Sequence, residues 1–215
     1  MTKWAPERKD TIAALADEIL HNYGRGRVVV AIDGPDGAGT TDFADDVATA
    51  LRSAGHSAFR ASVTDFQRPR AEREARGAHS GEGYYRDSFD YSVLRRVLVE
   101  PFRLGGSAAF VTAAFDATRD AQVEPKWLTG PDDAILLIDG VFLNRPELAG
   151  LWNYSVWVDV THEHVAGPGS SEAEVARQNE AQAIYRKEVG PRTRATAIVD
   201  NTDINHPRRS FADSC

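Results

Sequence analysis

Val28-Val29-Val30-Ala31-Ile32-Asp33-Gly34-Pro35-Asp36-Gly37-Ala38-Gly39-Thr40-Thr41 is the stretch whose reading decides the fold. The apolar run from Val28 to Ile32, closed by turn residues, suits a strand buried on both faces of a parallel sheet. It enters a glycine-rich turn and then a helical pattern, a layout in which backbone N–H groups and a helix N-terminus cradle phosphate. The phosphate-loop pattern G-x-x-x-x-G-K-[ST] is met at Gly34, Gly39 and Thr41, with Gly37 between them. Thr40 stands where the pattern has its lysine. That ammonium ordinarily reaches the outer phosphates of ATP and neutralises transition-state charge. The stretch therefore predicts a nucleotide-kinase scaffold while withholding the cation that such chemistry uses.

Outward from the loop, apolar spacing predicts helices over Thr11 to Tyr23 and Phe43 to Ser53, each followed by a glycine. Ser57 to Val63 reads as a second strand, Glu72 to Glu82 as a polar loop, and Tyr91 to Phe102 as a helix. A short strand is expected over Ala109 to Phe115. Ala134 to Gly140, Tyr154 to Val160 and Ala195 to Val199 read as further strands, the last being the end of the sheet. Strands alternating with helices predict a three-layer α/β/α sandwich with a mainly parallel central sheet and ligands at the strand C-termini. Neither repeats nor linkers divide the chain, so residues 1–215 are expected to form one domain.

Composition narrows the function classes. With 42% hydrophobic residues over 215 positions, the chain has enough apolar side chain for a full core. A formal charge of −7 disfavours nucleic acid or an anionic membrane as partner, because there is no basic excess to release counterions. The single cysteine, Cys215, rules out an internal disulfide and points to a reducing cytoplasm. No apolar run approaches the ~18 residues of a membrane span, and Met1 to Glu7 lacks an apolar signal core.

Further blocks carry a family resemblance. They are Asp65-Phe66-x-Arg68-Pro69-Arg70, Gly83-Tyr84-Tyr85-Arg86-Asp87-Ser88-Phe89-Asp90-Tyr91, Phe115-Asp116 and Leu137-Ile138-Asp139-Gly140-Val141-Phe142-Leu143. Glu188-Val189-x-Pro191 and Val199-Asp200-Asn201-Thr202-Asp203 complete the series. In this order, and over nearly the whole chain, they resemble the uridine kinase-like branch of P-loop NTPases. The resemblance implies Mg²⁺ and ATP as cofactors if kinase activity survives, with Thr41 and Asp139 as the metal's partners and residues 161–190 as the lid-equivalent region. It also implies an acceptor pocket built from Arg68, Tyr84, Tyr85, Arg86, Asp87, Phe115 and Arg119.

The departures from the family pattern fall at its working parts. Thr64 occupies the position of the aspartate that serves as base, and a neutral hydroxyl is not a competent base near pH 7. Asp65 is its neighbour, and on an extended segment it would point to the opposite side. Gln67 and Ala117 stand where histidines are common, and the lid segment Thr161 to Ser171 holds no arginine; the first one downstream is Arg177. Each electrostatic contact of this kind is worth on the order of a hundredfold in rate, so their joint loss argues against efficient phosphoryl transfer.

Three functional readings follow. The first is a repurposed scaffold that binds a nucleoside-like or sugar-like small molecule and transforms it by acid/base chemistry, with Asp65, Asp42 and Asp36 as catalytic candidates. Carboxylates gathered at the mouth (Asp33, Asp36, Asp42, Asp65 and Asp139) would raise one another's pKa. The second is an ATP-dependent nucleoside kinase whose missing ammonium comes from Lys126 or Lys187. The third is a non-catalytic binding protein. Asp42 reads equally as a helix-start residue, and His162 with His164 lacks a third metal ligand. A homodimer stays open.

Overall fold

The computed structural model describes residues 6–160 and 170–211. His162, His164, Cys215 and, of the region compared with the lid, residues 161–169 lie outside the described residues. Glu7 begins a capping box with Asp10 that starts α1 (Arg8–Tyr23), which leads into β1 (Val28–Asp33), the loop, and α2 (Thr40–Ser53). After β2 (Ala58–Ser62) come the short helices α3 (Arg70–Arg73), α4 (Gly81–Asp87), α5 (Tyr91–Leu94) and α6 (Glu100–Leu104). A small hairpin of β3 (Phe115–Asp116) and β4 (Ala121–Gln122) precedes β5 (Ile135–Gly140) and β6 (Tyr154–Asp159). The chain continues through α7 (Glu172–Val189), α8 (Pro191–Arg194), β7 (Ala197–Asp200) and β8 (Arg208–Ser210).

The six-stranded sheet has the order β2-β5-β1-β6-β7-β8, parallel except for β8. β1 is central and wholly buried, as its unbroken apolar run requires. Alternation along it splits the core. Val28, Val30 and Ile32 face α1 and α2 with Leu15, Ile19, Phe43 and Leu51. Val29 and Ala31 face the other layer, where Phe102, Phe142, Trp157 and Tyr185 pack. Three layers result, and the loop emerges where the C-termini of β1, β5 and β6 meet.

The helix expected over Tyr91 to Phe102 is present and runs on to Leu104, with a π-helical turn at Arg95–Val99. Three other expectations are corrected. Ala109 to Phe115 is not a strand: Phe110 makes one isolated bridge to Leu128, and only Phe115 enters the hairpin. The polar stretch from Glu72 to Glu82 is broken by structure at both ends, since α3 reaches Arg73 and Ser80 caps α4 at Gly81. The sheet continues past β7, because Arg208–Ser210 pairs with it antiparallel although its side chains are polar.

Candidate functional site

The loop closes tightly. A Cβ on Gly34 would come within 2.8 Å of the Thr40 methyl and 2.9 Å of the Val158 carbonyl oxygen, so only glycine fits there. Thr40 thus turns its methyl inward over Gly34. Gly39 takes a φ of +76° as it caps α2, a conformation glycine adopts without strain. The Asn201 amide donates to the Ala38 carbonyl at 2.9 Å, fastening the loop to the end of β7.

Beneath the first turn of α2, the Thr41 hydroxyl donates to Asp139 Oδ2 at 2.7 Å. The other carboxylate oxygen accepts from Arg60 Nη2 at 2.8 Å. Arg60 stands on β2 and also donates to Asp45 Oδ1 at 2.8 Å and to the carbonyls of Leu137 and Thr41. The guanidinium is therefore clamped between carboxylates of α2 and β5.

Asp33, at the end of β1, is fully buried, and burial pushes its pKa up to about 6. The Tyr185 hydroxyl from α7 donates to its Oδ2, as do the Asn144 backbone N–H (3.1 Å) and side-chain amide (2.7 Å). Its Oδ1 has no hydrogen-bond partner among the described residues. Asp33 therefore does not reach the mouth; it pins α7 to the strand that carries the loop.

At the loop tip, Tyr84 Oη donates to Asp36 Oδ1 at 2.7 Å, and the Arg177 guanidinium lies 4.7 Å over the Tyr84 ring. Burial raises the pKa of Asp36 against the opposing pull of Tyr84 and Arg177. It also drives that of the Tyr84 phenol well up, so the phenol stays a donor. Among the described residues, several buried polar atoms of the loop tip and α7 have no hydrogen-bond partner: Asp36 Oδ2, Arg177 Nε, Gln178 Oε1, and both amide atoms of Gln182. Gln182 is only 5% exposed, and its amide is close enough to Asp36 to stabilise the carboxylate without a well-formed bond. Arg177, Gln178 and Gln182 lie on α7, with Gln178 and Gln182 one turn apart. The loop tip and α7 thus both carry polar atoms left unsatisfied among the described residues.

Asp65 differs from its sequence reading. Residues Val63–Phe66 form a 3₁₀ turn after the Ser62 cap, so Thr64 is exposed while Asp65 is half-buried. Its pKa is raised by burial first, then by the charges of Asp139 and Asp116, with a Ser62 backbone hydrogen bond opposing. Burial, more than mutual repulsion, is what raises these carboxyls. Beyond Phe66 lies a cavity of about 340 Å³ walled by Phe66, Arg68, Val97, Phe115 and Trp127.

With this geometry in place, comparison with solved structures gives the fold a context. A possible uridine kinase from Bacillus stearothermophilus superposes with a TM-score of 0.74 at 25% identity, covering 88% of this chain and 97% of that one. This is a P-loop kinase-like fold. A candidate fructose transport system kinase from Silicibacter sp. TM1040 matches at TM-score 0.60 and 23% identity, covering 80% of this chain and 93% of that one. The YGR205w protein matches at 0.65 and 13%, over 97% of this chain and all of that one. No protein-family model matches the sequence, and no curated protein does either.

On this P-loop kinase-like scaffold the expected pocket residues divide. Arg68 and Phe115 line the cavity and Tyr84 lies at the loop tip. Tyr85 does not: its ring is buried against Phe142 and Tyr185, with Arg145 stacked on it at 4.3 Å. Arg86 is taken up by Glu82 and Glu188, and Asp87 by Arg76, in ion pairs outside the mouth. Arg119 is exposed beyond β3, where its backbone N–H bonds Asp116. Asp42 is exposed in the first turn of α2. Lys126 and Lys187 are exposed as well. The Mg²⁺ that the fold implies would use Thr41 and Asp139, and these are adjacent. As arranged they do not fit it, because both Asp139 oxygens are occupied, one by a cation. No cluster of three metal-ligating side chains occurs among the described residues. Among them, too, no helix is long and apolar enough to cross a membrane.

Arg60, Asn144, Arg177, Gln178, Gln182 and Tyr185 were not singled out by the sequence as site residues. Ser171 and Glu174 make a capping box that marks the start of α7 and was the available signal for it.

Proposed function

We propose that this chain binds a polyhydroxylated small molecule, nucleoside-like or sugar-like, between the loop tip and α7, and transforms it by proton transfer without ATP. The observation that carries the reading is the group of unpartnered buried polar atoms on Asp36, Arg177, Gln178 and Gln182. Each such atom left unpaired costs about 1–3 kcal/mol. Ligand hydroxyls, which both donate and accept, would satisfy carboxylate and amide oxygens as well as Arg and Gln donors.

The chemistry follows from the carboxyls. Asp36 and Asp65 both have pKa values raised by burial, which brings a proton donor and a proton acceptor closer to neutral pH. Brought to one ligand, the two carboxyls would support elimination, isomerisation, cyclisation or hydrolysis. Asp42, in open solvent on α2, is assigned a helix-start role instead. ATP-dependent phosphoryl transfer is the second reading, favoured by the likeness to a possible uridine kinase. It would need a cation at the loop in place of the lysine that Thr40 replaces, from Lys126 or Lys187.

The test is to incubate the protein with panels of nucleosides and sugars, with and without Mg-ATP, and follow them by ¹H NMR. Product without ATP that vanishes in Asp36→Asn and Asp65→Asn supports the proposal. Product only with Mg-ATP would replace it by the kinase reading. Binding without product under either condition would refute the transformation.

A further inference from the structure

The cation in the loop site is part of the chain. We propose that Arg60 is a resident substitute for the divalent metal, seated on Asp139 so that the Thr41–Asp139 pair is closed to Mg²⁺ and Mn²⁺. The inference concerns the phosphate side of the fold and stands whether or not the ligand reading above holds.

Three observations carry it. Arg60 Nη2 holds Asp139 Oδ1 at 2.8 Å while Thr41 holds Oδ2 at 2.7 Å, so the buried carboxylate has a partner on each oxygen. The guanidinium is not a loose surface group. Its side chain is 16% exposed and also bonds Asp45 and the carbonyls of Leu137 and Thr41. Finally, its charge is compensated where it lies, by one carboxylate from α2 and one from β5. A divalent ion at Asp139 would have to displace a planar, multiply bonded cation or share one carboxylate with it. Magnesium, which binds through one or two carboxylates and retained water, has little to offset that repulsion.

A metal bridging the outer phosphates is part of how P-loop NTPases hold a nucleoside triphosphate. A site closed by Arg60 would therefore give a metal–nucleotide complex no advantage over the free nucleotide. Thr40 in place of lysine and Arg60 in place of metal then describe one change: the loop no longer presents a mobile cation to phosphate.

The experiment is Mn²⁺ titration of the purified protein, with free Mn²⁺ read by electron paramagnetic resonance and site occupancy read from broadening of the Thr41 and Gly140 amide NMR signals. For the wild type these signals should stay sharp into millimolar Mn²⁺. Arg60→Met, which keeps an unbranched apolar stem on β2, should open a site at least about tenfold tighter, abolished by adding Asp139→Asn. Selective broadening of Thr41 and Gly140 in the wild type would overturn the proposal without any variant, which covers the case of a variant that does not fold. A folded Arg60→Met protein that gains no site would overturn it equally.

Discussion

Replacing Asp33 by asparagine should change the pH dependence of stability in a way fixed by burial. In the folded protein the Asp33 carboxyl is pushed from 3.8 up to about 6. Between those values the native state holds a proton that the unfolded chain has released, so this group's contribution falls as pH rises. It is fully present below about pH 4 and lost by about pH 7. The rise from 3.8 to about 6 corresponds to roughly 3 kcal/mol. The substituted asparagine cannot ionise, yet its amide oxygen can still accept from Tyr185 and Asn144. The assay is urea unfolding at half-unit steps from pH 4 to 8, comparing wild type with Asp33→Asn. The wild type should lose about 3 kcal/mol more than the variant across that range, while Asp36 and Asp65, raised in the same direction, contribute equally to both. Parallel curves would mean that Asp33 ionises as an ordinary carboxylate, and the account of it as a buried pin between β1 and α7 would fail.

Other expectations are as direct. Gln182→Met removes the amide beside Asp36 at nearly constant volume and should abolish ligand binding by calorimetry. It should change stability by less than about 1 kcal/mol in thermal or urea unfolding, since relief of the unpartnered atoms offsets the lost support of the carboxylate. Tyr84→Phe takes the hydrogen-bonding phenol from Asp36 Oδ1 and should cost about 1–3 kcal/mol in the same unfolding measurement. Arg86→Ala breaks half-exposed pairs with Glu82 and Glu188, so stability should change by less than about 1 kcal/mol and ligand affinity by less than about twofold. Thr40→Lys alone should not produce ATP turnover in a coupled assay, because Thr64 still stands in the base's place and Arg60 still occupies Asp139.

What could be read from the sequence followed from what is local. The run Val28 to Ile32 has a single stable use, a strand covered on both sides, and with the glycines after it the fold class follows. Asp139 could be placed because a strand's end is set by its own apolar run. Asp65 could not, since the apolar pattern of Ser57 to Val63 does not reveal the 3₁₀ turn at Val63–Phe66, and one turn redirects the side chain. α7 was hidden for a related reason. Its inner face is Ala181, Gln182, Tyr185 and Val189, too polar to stand out as an apolar stripe, and that polarity is what marks it as part of the site. Arg60 could not have been found, because its partners Asp45 and Asp139 are brought to it only by the crossing of β2, β5 and α2.

The most direct measurement of the central claim is calorimetric titration of the purified protein with Mg-ATP, repeated with free nucleosides and sugars. The expected result is no saturable heat from Mg-ATP in the micromolar range and saturable binding of a polyhydroxylated molecule that Gln182→Met removes. Micromolar Mg-ATP binding, with heat from no nucleoside or sugar, would contradict it.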